Sequence, residues 1–385
     1  MGIETARKLR VVALGTYDKS KPRARILLRG LRENDVEITE CHRDVWGATV
    51  DKSQVSGLRS KLAIFWNYLI AYPILIFRYL RCSKHDVVLI GYLGLFDVLI
   101  LWPFIRMRRA VLFWDVFLSL YNTVVEDRKM ISRYNPAAIA LWAMEWLALR
   151  LVDQALMDTQ AHADFLRTTY HVGAHKVARI FVGAEPEIFD AGGVDPCVGS
   201  PGTGRKTVLF YGQFIPLHGI EYIVRAAKLT EATNLDWMLI GKGQEAKRIH
   251  ALIEGLAPGN LDWREWVSYE TLIEYLARSD VALGIFGSTE KAQRVIPNKV
   301  FQILMAGRPL ITADTPAARE LLSESVLVRF VPAGDAEALA EAALEITNSS
   351  LANEQHDEKV LDQILPVTIG SELRKLMSDK LQMRN

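Results

Sequence analysis

The chain has little with which to staple itself or hold a metal: three cysteines in 385 residues, Cys41, Cys82 and Cys197, widely separated and odd in number. That scatter argues against a disulfide framework or a thiolate cluster and suits a reducing compartment. No Asp-x-Asp pair occurs anywhere in the sequence. That leaves no carboxylate pair of this kind for a divalent ion, and neither a metal nor any other cofactor is called for. Net charge is only +1, which leaves no strongly basic face for bulk nucleic acid. No short repeat or low-complexity tract is present. The amino terminus, MGIETARKLRVVALG, shows no cleavable apolar core, so a cytoplasmic protein is expected. Long apolar runs are missing too. Leu62 to Phe77, LAIFWNYLIAYPILIF, has 16 residues with Asn67 and Pro73 inside it, short of the ~20 that a spanning helix needs.

What is present is a folded composition, 50% hydrophobic and 24% charged, in a chain longer than one core usually supports. Strand and helix signals alternate. LRVVALG from Leu9 precedes a helical ARILLRGLREN, then VEITECH, DVVLIGY, AVLFWDVF and QALMDT follow. The second half repeats the rhythm through VLFYG, LDWMLIGKG, NLDWREWV, DVALGIF, RPLITAD and VLVRFV. That pattern predicts α/β domains with mostly parallel sheets covered by helices on both faces. Residues 185–206, rich in glycine and proline, read as a linker between a first domain over 1–184 and a second over 207–354. One helix over 355–385 closes the chain.

The segment Val208 to Ala227, VLFYGQFIPLHGIEYIVRAA, reads as buried strand, glycine loop and helix start. Such a loop lies at a strand's carboxyl end, where open α/β sheets bind ligands and where helix amides attract anions. Its companion is RVIPNKVFQILMAGRPLIT, Arg294 to Thr312. Pro297 suits a first helical turn and Gly307 a helix end. Lys299 and Gln302, three apart, share a face of that helix.

These two stretches, in this order and at this separation, resemble the carboxyl-terminal domain of family 4 glycosyltransferases, whose architecture is two Rossmann-like domains facing a central cleft (GT-B), with a C-terminal helix crossing back to the first domain. The resemblance covers nearly the whole chain in layout and is specific between Val208 and Glu320. It implies a nucleotide-sugar donor in the second domain, with Gly212, Gln213, His218 and Gly219 around the diphosphate and Lys299 and Arg294 beside it. Gln302 falls on the ribose, and the backbone near Val267 meets the base. The family usually carries an arginine at 213, a lysine at 218 and glutamates at 294 and 302, so this chain departs from its pattern at four positions. Lys242, between two glycines in IGKGQE, adds another close-approach loop on the donor side. His218 is expected to act on the leaving diphosphate, by donating to it.

In the first domain, Gly15 ends the first strand and opens GTYDKSKPRAR, a loop whose Arg23, with Lys19 and Arg25, is expected to reach an anionic acceptor or the donor phosphates. Asp115 in VLFWDVF, at another strand's end, is read either as the group that orients or deprotonates the acceptor hydroxyl, or as a helix cap or partner for Arg128. The runs Leu62–Phe77 and Tyr92–Phe104 end in arginines, which reads as a peripheral membrane surface or as buried core helices. Trp263 and Trp266 read as strand packing, and His171 and His175 as a surface turn. Taken with these residues, the family resemblance implies a metal-independent, retaining hexosyltransferase, and the arginine-flanked runs place it as peripheral on the inner face of the membrane, acting on a lipid-linked or glycan acceptor in surface polysaccharide or glycolipid synthesis. The alternative is a non-catalytic subunit of the same architecture that binds a glycan or a partner transferase.

Overall fold

A computed structural model describes residues 8–45, 58–190, 204–351 and 354–384. The chain forms two compact units. Unit 1 holds Met1–Asp158, Ala163–Phe181 and Pro366–Asn385, and unit 2 holds Thr159–His162 and Val182–Leu365.

Unit 1 begins with β1 (Arg10–Gly15), α1 (Pro22–Glu33), β2 (Glu37–His42), α2 (Leu58–Arg81) and β3 (Val87–Ile90). It continues through α3 (Leu95–Met107), β4 (Val111–Asp115), α4 (Pro136–Leu151), β5 (Gln154–Met157), α5 (Gln160–Tyr170) and β6 (Val177–Arg179). The six strands are all parallel, in the order β2-β1-β3-β4-β5-β6. The strands read from sequence are all here. β6 is an addition, three residues long and too short to stand out within KVARIFV. Parallel strands are buried on both faces, and β1, β3, β4 and β5 are accordingly near-continuous apolar runs. One face of the sheet packs on α2, α3 and α4 through Tyr72, Leu75, Tyr79, Leu101 and Leu149; the other packs on α1 through Ile26, Leu27 and Leu31.

Unit 2 contains α6 (Glu187–Asp190), β7 (Lys206–Tyr211), α7 (Ile220–Leu229), β8 (Leu235–Ile240), α8 (Ala246–Leu256) and β9 (Leu261–Arg264). Then come α9 (Tyr269–Arg278), β10 (Val281–Leu283), α10 (Asn298–Met305), β11 (Leu310–Ala313), α11 (Pro316–Arg319), β12 (Val328–Val331), α12 (Ala336–Asn348) and α13 (Glu358–Gln363). Its parallel sheet runs β12-β11-β10-β7-β8-β9. Strand order reverses between β7 and β10, and in open α/β sheets that reversal opens the crevice that takes ligands. The unit boundary falls at Phe181 and Val182, a few residues ahead of the expected linker. Residues 191–203 of that linker, Cys197 among them, lie outside the described residues.

The expected single closing helix is two. Pro366, which has no N–H to continue a helix, starts α14 (Pro366–Arg384) after α13 has ended. α13 belongs to unit 2 and α14 to unit 1, where Ile369, Leu373 and Met377 enter the core beside α1. The two helices cross backbone to backbone. A methyl group on Gly370 would lie 2.0 Å from Gly30 C and O, and one on Gly30 would lie 2.0 Å from Pro366 O. Gly370→Val is therefore expected to force α14 off α1 and to cost unit 1 about 1–3 kcal/mol, read as a lower urea midpoint; an unchanged midpoint would show that the crossing can open without loss.

Candidate active site

At the β7 end, the chain turns through Gly212 with φ of +143°, a backbone setting that L side chains rarely adopt. The space a side chain would take is occupied. A Cβ on Gly212 would lie 3.2 Å from His218 Cε1 and 3.3 Å from Lys299 Nζ. Glycine here brings the backbone within reach of both nitrogen-bearing side chains. His218 closes a single 3₁₀ turn (Pro216–His218) that Pro216 begins, and its Nδ1 bonds the Gln213 carbonyl. Its ring meets the edge of Phe210, with centroids 5.6 Å apart. Gly219 follows with φ of +64°, and a Cβ there would lie 2.6 Å from Gly287 N. The stretch after β10 thus lies directly against the loop, held by Phe286 N to His218 O (3.1 Å), Gly287 N to Leu217 O (3.2 Å) and a cluster of Ile215, Leu217, Ile285 and Ala292.

Lys299 sits in the first turn of α10 and is only 5% exposed. Its ammonium donates to Gly284 O at 3.2 Å and lies 3.5 Å from the centre of the Phe210 ring. A carbonyl and a π face are weak company for a buried cation, and burial drives Lys299 well below the ordinary lysine range. Desolvating a charge without an ion partner is costly, so an anion over Gly212 would find a group ready to take a proton and pair with it.

The amides expected to hold phosphate are otherwise engaged. Gly212 N donates to Ile240 O at 2.9 Å, extending the β7–β8 ladder, and Gly219 N donates to Pro216 O at 3.2 Å. These glycines contribute closeness of approach, and the donors shift to the first two N–H groups of α7, at Ile220 and Glu221, since Tyr222 N already donates to Gly219 O at 3.1 Å. Gln213 is exposed, and its backbone carbonyl meets His218 Nδ1. Lys242 is exposed as well, and its carbonyl accepts from Phe214 N at 3.0 Å.

Around this centre stand the remaining candidates of unit 2. Arg294 is 14% exposed and its guanidinium pairs at 2.7 Å with Glu290, itself 93% exposed. Gln302 Oε1 accepts from Tyr211 Oη at 3.1 Å, and its Nε2 donates to Tyr269 Oη at 3.4 Å. Val267 lies between β9 and α9, just before Ser268, whose hydroxyl caps α9. Trp263 packs as read, stacked on Phe214 and bonded to Gly241 O. Trp266 corrects the reading, because it lies beyond β9 and is exposed. Tyr211 and Tyr269 escaped the sequence reading; the available signal was a phenol at a strand's carboxyl end and another just after a Ser cap.

In unit 1 three expectations change. Arg23 is not a loop cation: it lies in the first turn of α1, 1% exposed, with Nε 2.8 and 2.9 Å from the two Asp115 oxygens and Nη1 donating to Ile180 O. Proline at its start places the helix earlier than the basic loop suggested. Asp115 is likewise 1% exposed and its partner is Arg23, not Arg128. Burial raises its pKa and Arg23 opposes the rise, but lone pairs filled by a guanidinium make a poor proton acceptor. A small hollow walled by Ala13, Tyr17, Leu27, Leu89 and Gly91 reaches it. The side of Gly15 expected to face a ligand faces Asp97, whose Oδ2 would be 2.3 Å from a Cβ there. Asp97, another residue the sequence did not announce, fixes this turn by accepting from Thr16 N (2.8 Å) and Thr16 Oγ1 (3.1 Å). Burial pushes its carboxyl up to about 6. Lys19 pairs with Glu40 and Arg25 bonds Ser20 O. Among the described residues no group of three or more His, Cys, Asp or Glu is placed to hold a metal ion.

Residues 205–349 match the family model for Glycosyl transferases group 1, which spans the whole sheet of unit 2, and the two units have the two-Rossmann (GT-B) architecture. No curated protein sequence matches the chain. Among solved structures it is similar to Anabaena Alr3699/HepE in complex with UDP, at 12% identity over 97% of this chain and 100% of that one, with a TM-score of 0.64. Sucrose-phosphate synthase from Thermosynechococcus elongatus is 14% identical over 98% and 97%, TM-score 0.63. The apo form of the lipopolysaccharide outer core galactosyltransferase WaaB is 11% identical over 97% and 100%, TM-score 0.61. At such identities the likeness is one of fold.

The site makes a charge-linked expectation. Inorganic pyrophosphate bound over Gly212 favours the ammonium form of Lys299, which burial disfavours in the empty site, so binding takes up a proton and weakens as pH rises above the depressed pKa of the free protein. Lys299→Ala and His218→Ala are each expected to cost roughly tenfold to hundredfold in affinity, and Lys299→Ala to remove most of the proton uptake. Calorimetry in buffers of unequal ionisation heat measures both; pH-independent binding by the wild type would contradict the assignment.

Proposed function

We propose that the protein is a retaining hexosyltransferase that binds a nucleotide sugar in unit 2 and passes the sugar to a lipid-linked or glycan acceptor in surface polysaccharide or glycolipid synthesis. The observation that carries this reading is the convergence of Lys299 and His218 on the bare face of Gly212, at the strand-order reversal of a domain matching the group 1 family. As the bond from anomeric carbon to diphosphate breaks, negative charge grows on the leaving oxygen. Lys299, His218 and the α7 amides oppose that charge in a site from which water is largely excluded, where such stabilisation is strongest. Cations and helix amides do here what carboxylate-bound metal does elsewhere, which is the basis for proposing that no metal is needed. Retention rests on the family resemblance. Gln302 and Val267 face the ribose and base in this reading.

Unit 1 supports an acceptor at a membrane surface. No helix among the described residues is long and apolar enough to cross a membrane, yet the outer faces of α2, α3 and α4 are apolar. Trp66 is 56% exposed, and Phe77, Ile100, Met107 and Ile139 are exposed with it. Arg81 lies over Phe77 and Arg150 over Trp146, so cations and rings share one surface, as interfacial helices require. The inner faces of the same helices fill the core, so the apolar composition of these runs serves packing and surface at once. Arg108 belongs to the structure rather than the rim, since it donates to the Leu80 and Cys82 carbonyls.

Two outcomes are expected. With UDP-glucose, UDP-galactose and related donors screened by hydrolysis and thermal protection, the active donor should turn over equally after dialysis against EDTA; a rate that collapses and returns with magnesium or manganese would show that a metal is used. The protein should sediment with anionic vesicles, be partly released by salt, and lose binding in an Arg78→Glu, Arg81→Glu, Arg109→Glu variant that keeps its donor affinity. No sedimentation of the wild type at low salt would leave the apolar face without this role.

A further inference from the structure

Tyr211 ends β7 and is buried to all but 6%. Its hydroxyl lies 3.1 Å from Gln302 Oε1 and 3.4 Å from the Lys299 carbonyl, both acceptors on α10. Burial pushes this phenol far above its usual range, so the hydroxyl keeps its proton and remains a donor. The consequence falls on Gln302. A side-chain amide has one acceptor oxygen and two N–H donors. With the oxygen claimed by Tyr211, Nε2 faces the other way, 3.4 Å from Tyr269 Oη on the first turn of α9. A glutamine free to turn presents either end to a ligand; this one presents N–H only. Tyr269, 43% exposed, stands beside it at the rim.

We propose that Tyr211 is a positioning residue for nucleotide recognition: by holding Gln302 Oε1 it makes residue 302 donate to a ribose hydroxyl, with Tyr269 beside that contact. This rests on the donor reading above. A glutamine at 302 also sets no carboxylate one turn along the helix from Lys299 to compete with the diphosphate for it.

The test is a coupling measurement. Calorimetric titration of UDP, ADP and GDP selects the nucleotide, and affinity is then measured for it and for its 2′-deoxy and 3′-deoxy forms, with the wild type, Tyr211→Phe and Gln302→Leu. Tyr211→Phe keeps the buried ring and removes only the hydroxyl. The variant is expected to bind the ribonucleotide roughly two- to tenfold more weakly. For the deoxy form lacking the hydroxyl that Gln302 reads, the wild type already shows this loss and neither variant adds to it. Unchanged ribonucleotide affinity in Tyr211→Phe, or an equal loss across all three nucleotide forms, would overturn the proposal, the second outcome marking a merely structural hydroxyl. Failure of the wild type to bind any of the three nucleotides would instead remove the donor reading, and the role of Tyr211 with it.

Discussion

Burying the Lys299 ammonium on a carbonyl and an aromatic ring is the constraint around which the second unit is arranged. It requires a helix that begins immediately after Pro297, so that residue 299 lies in a first turn facing the β7 edge. It requires Phe210 at the end of β7, presenting a ring face 3.5 Å from the nitrogen. It also requires that no side chain stand at 212, where one would meet both Lys299 and His218. Each requirement is a residue choice in a different segment, and the strand-order reversal between β7 and β10 brings the three together. A lysine so poorly compensated when charged gives up its proton readily in the empty site and holds it firmly beside an anion, which favours electrostatic stabilisation of a leaving group.

Unit 1 resolves the same problem in the opposite sense. Arg23 and Asp115, each almost fully buried, neutralise one another through a bidentate contact, and Asp97 spends its oxygens on Thr16. The strand ends of this sheet consequently carry charges that are already matched. Removing either member of the Arg23–Asp115 pair would leave its partner buried and alone, a loss of several kcal/mol by the usual behaviour of such pairs, so the pair reads as a fixture of the domain.

The repeating pattern of the two sheets was legible because buried parallel strands are short apolar runs set off by glycine, as in VLFYG and DVALGIF. β6 was not, since three residues between Lys176 and Ile180 carry too little pattern to separate strand from loop. The break at Pro366 was hidden by helical periodicity on both sides of it. In the site, Gly212 and Lys299 were marked by local turn and helix patterns, and His218 by the position it takes in the family resemblance. Arg23 was misplaced because a basic run reads as solvated unless its partner is known, and Asp115 lies 92 residues away. Asp97 was overlooked inside the apolar LGLFDVLILW for the same reason: its partner, Thr16, is 81 residues distant. Tyr211 passed as one more apolar residue of a strand, its hydroxyl having no meaning until α10 was in place.

The chain visits unit 1 first and last, and the last visit is α14, pressed against α1 with no room for a side chain at Gly30. During synthesis all six strands of unit 1 and their helices emerge long before residue 366, so one flank of α1, with Ile26 and Leu31 near it, waits for a cover that is made only after the whole of unit 2. Unit 2, apart from residues 159–162, is made from one continuous stretch and has no such delay. The amino-terminal unit therefore depends on a helix made after unit 2: a chain cut short between α13 and α14 keeps unit 2 intact and exposes an apolar flank in unit 1, which makes such truncation a route to aggregation.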